Sequence, residues 1–312
     1  MKTIVSTLIL ILLFLCPPGF SQSKLVGYWS FDETNSDTIF DGSSYNNHGI
    51  KYGGKRIDGR KGQALEFDGI DDYVRISGEF KNTPEVLTDL GKGSISVWFR
   101  VDSIPTRYGI APIFYYGAEE KCDFFDAANK GLIIEIGHSP VHMGSENIYF
   151  TIWKHGCTYP SFCFDSGEPI STGEWHHFVA VVGEDYNTGY FDGQEMAQRR
   201  YNFGDDTYSQ FFEDAIAHEK MWLGKGHWDR TTQHFDGAID EVRIYNTPLS
   251  RLEVTSLYGA TGGETVTGWH GKTSPGKIKI FPNPVFQKLN YDLNGIKEDI
   301  NLIKITNMTG NV

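Results

Sequence analysis

Apolar and polar residues alternate over short stretches along most of this chain. The pattern appears at 27–31 (GYWSF), 63–67 (QALEF), 73–76 (YVRI), 94–101 (SISVWFRV), 131–136 (GLIIEI) and 148–153 (IYFTIW). It returns at 176–182 (HHFVAVV), 189–194 (GYFDGQ), 221–226 (MWLGKG) and 240–245 (DEVRIY). A period of two puts successive side chains on opposite faces of a strand. Within 94–101, Ile95, Val97 and Phe99 share one face, while Ser94, Ser96, Trp98 and Arg100 share the other. Asp68-Gly69, Asp192-Gly193 and Asp236-Gly237 punctuate these stretches, and Asp-Gly between apolar runs is a hairpin signal. One short helical pattern lies at 247–258 (TPLSRLEVTSLY), where Ser250 and Glu253 have the spacing of a capping box. Many short strands with a single short helix predict an all-β fold, a sandwich or a barrel.

The two ends read differently. Lys2 precedes an apolar run at 4–15, then Pro17, Pro18 and Gly19 break any helix. Gly19 and Ser21 are small residues placed for cleavage after Ser21, so 1–21 is expected to be a secretory signal peptide. No later stretch is apolar over the roughly 18 residues a spanning helix needs, so no membrane span is expected there. After Thr261 the composition shifts. Residues 261–276 read as a Gly/Ser/Thr-rich linker, and 277–312 as a small partial β module.

Composition narrows the partners. The 312 residues include 35 Gly, and 14% are aromatic, which suits short strands and tight turns better than a helical bundle. Lys and Arg total 28 against 40 Asp and Glu, a net charge of −12. That balance argues against nucleic acid or an anionic membrane surface as the main partner. Cys16 falls in the leader, leaving Cys122, Cys157 and Cys163. Export permits disulfides, and the odd number allows one bridge at most. Spacing leaves every pairing open; Cys157 and Cys163, with Pro160 between them, suit a loop staple.

Six blocks occur in order: 25–33 (LVGYWSFDE), 41–50 (DGSSYNNHGI), 61–76 (KGQALEFDGIDDYVRI), 94–103 (SISVWFRVDS), 173–194 (GEWHHFVAVV through GYFDGQ) and 235–254 (FDGAIDEVRIYNTPLSRLEV). In these blocks the chain resembles the LamG-like jelly-roll domain of the concanavalin A-like lectin/glucanase superfamily. The resemblance implies a two-sheet antiparallel jelly-roll sandwich over 24–260. Segments 104–165 and 199–220 are longer than in a minimal family member and are expected to form loops on the rim or concave face. The tail, with 281–285 (FPNPV), an expected strand at 288–293 and a turn at 303–310, resembles a type IX secretion sorting domain that stops short. That implies outer-membrane secretion machinery as a partner, and a protein secreted from, or attached to the outer surface of, a Gram-negative bacterium.

The fold hosts lectins, adhesion modules and glycosidases, so function must come from a site. Glycosidases of this superfamily carry Glu-x-Asp-x-x-Glu on one strand, and no segment here matches it. Glu66 and Asp68 are the nearest pair, but Asp68 precedes Gly69 and reads as a turn residue. The paired Gln-x-His and Tyr-x-Lys-x-Gly-x-Tyr motifs of jelly-roll polysaccharide lyases are missing too. A Ser/His/Asp triad is compatible with the composition, although no Gly-x-Ser-x-Gly occurs. The expected function is therefore a secreted, non-catalytic module that recognises extracellular polysaccharide or glycoprotein. The alternatives are a protein-binding adhesion module and a divergent glycoside hydrolase.

Sugars stack on aromatic rings. The rings expected to serve a ligand are Tyr108, Tyr116, Trp153, Tyr159, Tyr208 and Trp228, in or near the long insertions. Trp29, Phe67, Tyr73, Trp98, Trp175 and Phe178 lie in the family blocks and are expected in the core. One structural calcium ion is expected, held by Asp32, Asp41, Asn46 and Asp240, whose hard oxygens the first and last strands would bring together. The competing reading makes Asp41 and Asn46 turn caps and pairs Asp240 with Arg243.

Overall fold

The computed structural model describes residues 25–34, 36–76, 85–104, 110–117, 131–137, 146–153, 160–215, 220–226, 233–259, 279–281 and 290–292. The leader, the linker, Tyr108, Cys122, Cys157, Tyr159 and Trp228 lie outside these residues. The strands run in chain order as Leu25–Trp29 (β1), Thr38–Ile39 (β2), Gly49–Tyr52 (β3), Lys55–Asp58 (β4), Gln63–Asp68 (β5), Tyr73–Ile76 (β6) and Gly93–Ser103 (β7). Then come Ile110–Gly117 (β8), Gly131–Gly137 (β9), Ile148–Trp153 (β10), Phe162–Asp165 (β11), Trp175–Val182 (β12) and Asn187–Phe191 (β13). Gln194–Glu195 (β14), Arg200–Phe203 (β15), Lys220–Leu223 (β16) and Asp236–Tyr245 (β17) complete the body. The helices are Glu85–Thr88 (α1) and Arg251–Gly259 (α2). In the tail, Lys279–Phe281 (β18) pairs antiparallel with Asn290–Asp292 (β19).

Two antiparallel sheets make the sandwich. The first has the order β14-β13-β12-β7-β17-β5-β4, and β1 also pairs with β17. The second has the order β15-β11-β10-β9-β8-β16-β6-β3-β2. The inner faces meet in one apolar cluster that includes Val26, Trp29, Ile95, Val97, Phe99, Phe114, Ile134, Phe150, Phe178 and Ile244. The alternation in 94–101 is borne out, with Ile95, Val97 and Phe99 inside.

The opposite face of the first sheet is covered too. Helix α2 and the segment leading into it bury Val254 and Leu249 against Val179, Val181, Tyr190 and Tyr245. The last turn of the helix lays Tyr258 on Trp98, ring centroids 5.4 Å apart. Arg60 lies over Trp98 as well, 4.6 Å from the ring centroid. Trp98 is therefore buried, but outside the inter-sheet core. The capping box at the helix start forms as expected: the backbone N–H of Ser250 donates to Glu253 Oε2 at 2.7 Å, and that of Glu253 to Ser250 Oγ at 3.4 Å.

Segment 104–165 departs from expectation. Rather than loops, its described parts form β8, β9, β10 and β11, the middle of the second sheet. Every residue of Ile110–Gly117 and Ile148–Trp153 is buried. A strand buried on both faces loses its polar alternation and reads as a continuous apolar run.

Candidate functional site

The side chains that alternate with the core on the second sheet form cross-strand rows. Register places Ile50, Arg75, Trp222, Tyr115, Ile133, Thr151 and Cys163 side by side across β3, β6, β16, β8, β9, β10 and β11. Within this face Ile110, Tyr115, Ile133, Trp153 and Trp222 cluster, with Tyr73 packed against them. Tyr115 and Trp222 stack at 5.4 Å. Toward the sheet edge Tyr52 stacks on Tyr73 at 4.7 Å with ring planes 11° apart. Lys225 Nζ lies 4.2 Å from the Tyr73 ring centroid and 4.8 Å from that of Trp222, and the Arg75 guanidinium lies 5.2 Å from that of Tyr52. Tyr52 is 36% exposed and Ile50 40%. The row thus runs from a buried centre to an accessible edge.

A neighbouring row is polar: Glu135, Tyr149 and Asp165 are cross-strand partners, all buried. Asp165 is held by Asn147 Nδ2 at 2.7 Å, Asn202 Nδ2 at 2.8 Å and Arg200 Nε at 3.2 Å. Glu135 Oε2 has no hydrogen-bond partner among the described residues, and burial pushes the carboxyl up to about 8. A single acid in the otherwise apolar 131–136 stretch was the signal for this residue, and sequence reasoning passed over it.

The expected ligand rings are dispersed. Tyr116 is a core ring, edge-on to Phe212 at 4.8 Å, and belongs to the inter-sheet cluster rather than a ligand surface. Its neighbour Tyr115 points outward instead; strand parity separates the two. Trp153 is on the outer face but buried. Tyr208 is 38% exposed and stacks on Phe162 at 5.9 Å, near the β15 edge of the sheet. Tyr73 was expected in the core, yet it is half-buried on the outer face. Cys163 is a free, buried thiol 3.3 Å from Thr151 Oγ1, and burial pushes it up to about 12.

The expected metal ligands fall into two groups. Asp41 is a turn cap: Oδ1 accepts the backbone N–H groups of Tyr28 (2.9 Å) and Ser43 (2.8 Å), and Oδ2 accepts Ser43 Oγ (2.7 Å) and the N–H of Asn47 (2.8 Å). Asn46 sits in the same turn at φ 56°. Asp41 follows the capping alternative. Asp32 and Asp240 instead flank the 59–63 turn. Asp32 Oδ1 accepts the N–H of Gln63 at 2.8 Å, and Asp240 Oδ2 that of Lys61 at 3.0 Å. Strand β17 changes partner here: 236–239 pair with β5 and 242–245 with β1. Register toward β7 shifts between Asp240 and Arg243, and Glu241 takes a left-handed φ of 51°. Arg243 pairs with Glu241 rather than with Asp240. Asp240 is fully buried, its Oδ1 has no hydrogen-bond partner among the described residues, and burial lifts its carboxyl to about 7. An orphaned, buried carboxylate oxygen suits a hard cation. Asp32 and Asp240 thus offer carboxylate oxygens beside one turn, whereas both oxygens of Asp41 are already filled by N–H and O–H donors.

A third acidic group could also hold a metal ion: single ligand oxygens of Asp68, Asp71 and Asp72 lie within 4.8 Å of one another. Asp68 Oδ1 there accepts the N–H of Ile70 at 2.8 Å and Asp72 Oδ2 that of Asp68 at 3.1 Å, so the turn reading of Asp68 holds.

Known proteins agree with this architecture. Domain 4 of AbnA, an extracellular arabinanase of Geobacillus stearothermophilus solved with arabinotriose, matches with a TM-score of 0.51 at 21% identity, over 76% of this chain and 98% of that one. Trypanosoma rangeli sialidase in complex with sialic acid matches with a TM-score of 0.50 at 16% identity, over 77% of this chain but 34% of the sialidase. The receptor-binding domain of botulinum neurotoxin C/D mosaic serotype matches with a TM-score of 0.50 at 13% identity, over 76% of this chain and 51% of that one. At these identities the likeness concerns the fold alone. No curated protein matches in sequence. The Laminin_G_3 family model, described as the concanavalin A-like lectin/glucanases superfamily, matches residues 67–255, more than half of the chain, and the protein belongs to that family.

Proposed function

We propose that the protein is a carbohydrate-recognition module, secreted or held at the outer cell surface, and that it binds polysaccharide or glycoprotein glycans on the outer face of its second sheet. The observation that carries this reading is the Tyr52–Tyr73 stack, accessible at Tyr52 and backed by the buried rings of Trp222 and Tyr115. Flat rings offer dispersion contact to sugar C–H faces, and Lys225 and Arg75 beside them offer donors to hydroxyl oxygens. The arabinanase domain, solved with an oligosaccharide, supports the reading by analogy. Asp32 and Asp240, with one calcium ion, would brace the 59–63 turn without taking part in sugar contact. Export by the leader and by outer-membrane secretion machinery acting on 277–312 belongs to the same proposal. Among the described residues no helix is long and apolar enough to cross a membrane.

The test is affinity electrophoresis against a panel of plant and microbial polysaccharides. Tyr52→Ala removes an exposed ring at little cost to the fold and is expected to weaken binding about tenfold, the loss of one stacked ring. Equal retardation of the variant and the parent would overturn the site. Binding to proteins but to no glycan would favour the adhesion reading, which the exposed Phe40 (51%) and Ile70 (72%) support.

A further inference from the structure

Away from the aromatic face, the loop entering β12, β12 itself and the β13–β14 turn bring a serine, a histidine and an aspartate into one hydrogen-bonded chain. Ser171 Oγ lies 2.9 Å from His176 Nε2, and His176 Nδ1 lies 2.9 Å from Asp192 Oδ2. Asp192 is fixed in turn. Its Oδ1 accepts the backbone N–H of His177 at 2.8 Å, and its own N–H donates to the His177 carbonyl at 2.8 Å. The His176 ring is wedged against Phe191 and Phe99, at centroid distances of 4.8 Å and 5.8 Å. Nε2 faces both the Ser171 hydroxyl and, at 3.3 Å, the Ser171 carbonyl; with Asp192 accepting from Nδ1–H, the neutral ring carries its lone pair on Nε2, toward the hydroxyl. A nucleophile, a base and an orienting carboxylate in this order form the arrangement that activates serine for acyl transfer.

We propose that Ser171, His176 and Asp192 form an esterase site that removes acyl groups projecting from a large ligand. Residues 171–174 are all exposed, and a Cβ on Gly173 would meet nothing within 4 Å among the described residues. An approach this open suits an ester displayed on a polymer better than a small free ester that needs an enclosing pocket. Ser171 Oγ attacks the ester carbonyl carbon while its proton passes to His176 Nε2. The tetrahedral adduct then expels the alcohol, which leaves with that proton. Water attacks the acyl-serine, giving its proton to His176, and collapse returns the proton to Ser171 Oγ and frees the carboxylic acid. The sum is ester plus water giving alcohol plus acid, with no change of oxidation state.

Glu174 Oε2, 3.2 Å from Ser171 Oγ, competes for the hydroxyl proton. Burial lowers the His176 proton affinity, but the Asp192 hydrogen bond and charge, with smaller contributions from Ser171 and Glu174, raise it more, so the ring titrates above its ordinary value. The neutral ring is the base, so turnover rises with pH through that titration. This inference stands apart from the glycan reading and does not depend on it.

The full chain is treated with a fluorophosphonate probe and the adduct is mapped by mass spectrometry. In parallel, acetate release from acetylated xylan is followed from pH 5 to 9. The expected result is an adduct on Ser171, a rate that rises with pH, and a loss of about a hundredfold in Ser171→Ala, which removes only an exposed hydroxyl. Glu174→Ala is expected to hold or raise the rate. No adduct on Ser171, or equal acetate release by Ser171→Ala and the parent, would overturn the proposal.

Discussion

His176 and His177 are chain neighbours on opposite faces of β12, and the fold moves their proton affinities in opposite directions. His177 is stacked on Trp98 at 4.9 Å, and its Nε2 is 2.9 Å from Ser96 Oγ. Burial, reinforced by Arg243 and Arg60, depresses it to about 3. The unfolded chain takes up this proton near the ordinary value of about 6.5, and the folded one refuses it until far lower. Stability contributed by neutral His177 is therefore complete above about pH 6.5 and declines as pH falls toward 3. His176 behaves the other way, because its raised affinity favours the fold below about pH 6.5 and that contribution fades at higher pH. The larger shift belongs to His177, so acid destabilisation prevails. His177→Gln is expected to lose about 1–3 kcal/mol at pH 7 through weaker packing, yet to show a smaller further loss between pH 7 and 5 than the parent. Urea midpoints at both pH values measure this, and parallel losses in the two proteins would refute it. Sequence placed the two histidines in a strand with one facing each way. It gave no hint that Ser171 and Asp192, from flanking turns, close a chain on His176, because turn geometry alone sets that contact.

At the scale of elements, helix α2 is short, yet it seals one face of a sheet. Its capping box and its contacts through Leu249, Val254 and Tyr258 act together, since the cap fixes the helix start from which the apolar side chains reach Val179 and Val181. Ser250→Ala removes the Oγ that accepts from Glu253 N–H, and is expected to cost about 1 kcal/mol, read as a lower urea midpoint with unchanged slope. A changed slope would mean that the helix separates from the sheet before global unfolding. This helix was legible because its signals are local: a cap, an acid at the right spacing and a period. The hairpins at Asp68-Gly69 and Asp192-Gly193 were legible for the same reason. Strand β8 was harder, because burial on both faces erased its alternation. The same erasure hid the site. Tyr115 and Tyr116 look equivalent in sequence, and only the register with Trp222 shows which one faces outward.

The whole molecule depends on how its first and last strands meet. Strand β17 must give up β5 and take β1 within a few residues, and the break leaves Asp240 buried with one oxygen unpartnered among the described residues. An acid raised to about 7 holds its proton in the folded state while the unfolded chain releases it near the ordinary value of about 3.8. Between those values the fold binds more protons, so this group makes stability fall as pH rises from about 4 to 7. Calcium bound by Asp32 and Asp240 would reverse that penalty, because the ion requires the ionised carboxylate. At saturating calcium, about a hundred times the dissociation constant, the gain is about 2.7 kcal/mol, a rise of roughly 5–10 °C in Tm for a domain of this size. Proton competition costs about 1.4 kcal/mol for each pH unit below the carboxyl's value, so the same calcium should do little at pH 5. Scanning calorimetry with calcium and with chelator at pH 8 and pH 5 separates the possibilities. A calcium shift at pH 8 that shrinks at pH 5 and vanishes in Asp240→Asn places the ion at this junction. A shift that survives in Asp240→Asn but vanishes in Asp71→Asn places it at the Asp68, Asp71 and Asp72 turn instead. At pH 8 a carboxyl raised to about 7 is mostly ionised, so no shift there would show that neither place holds a calcium ion.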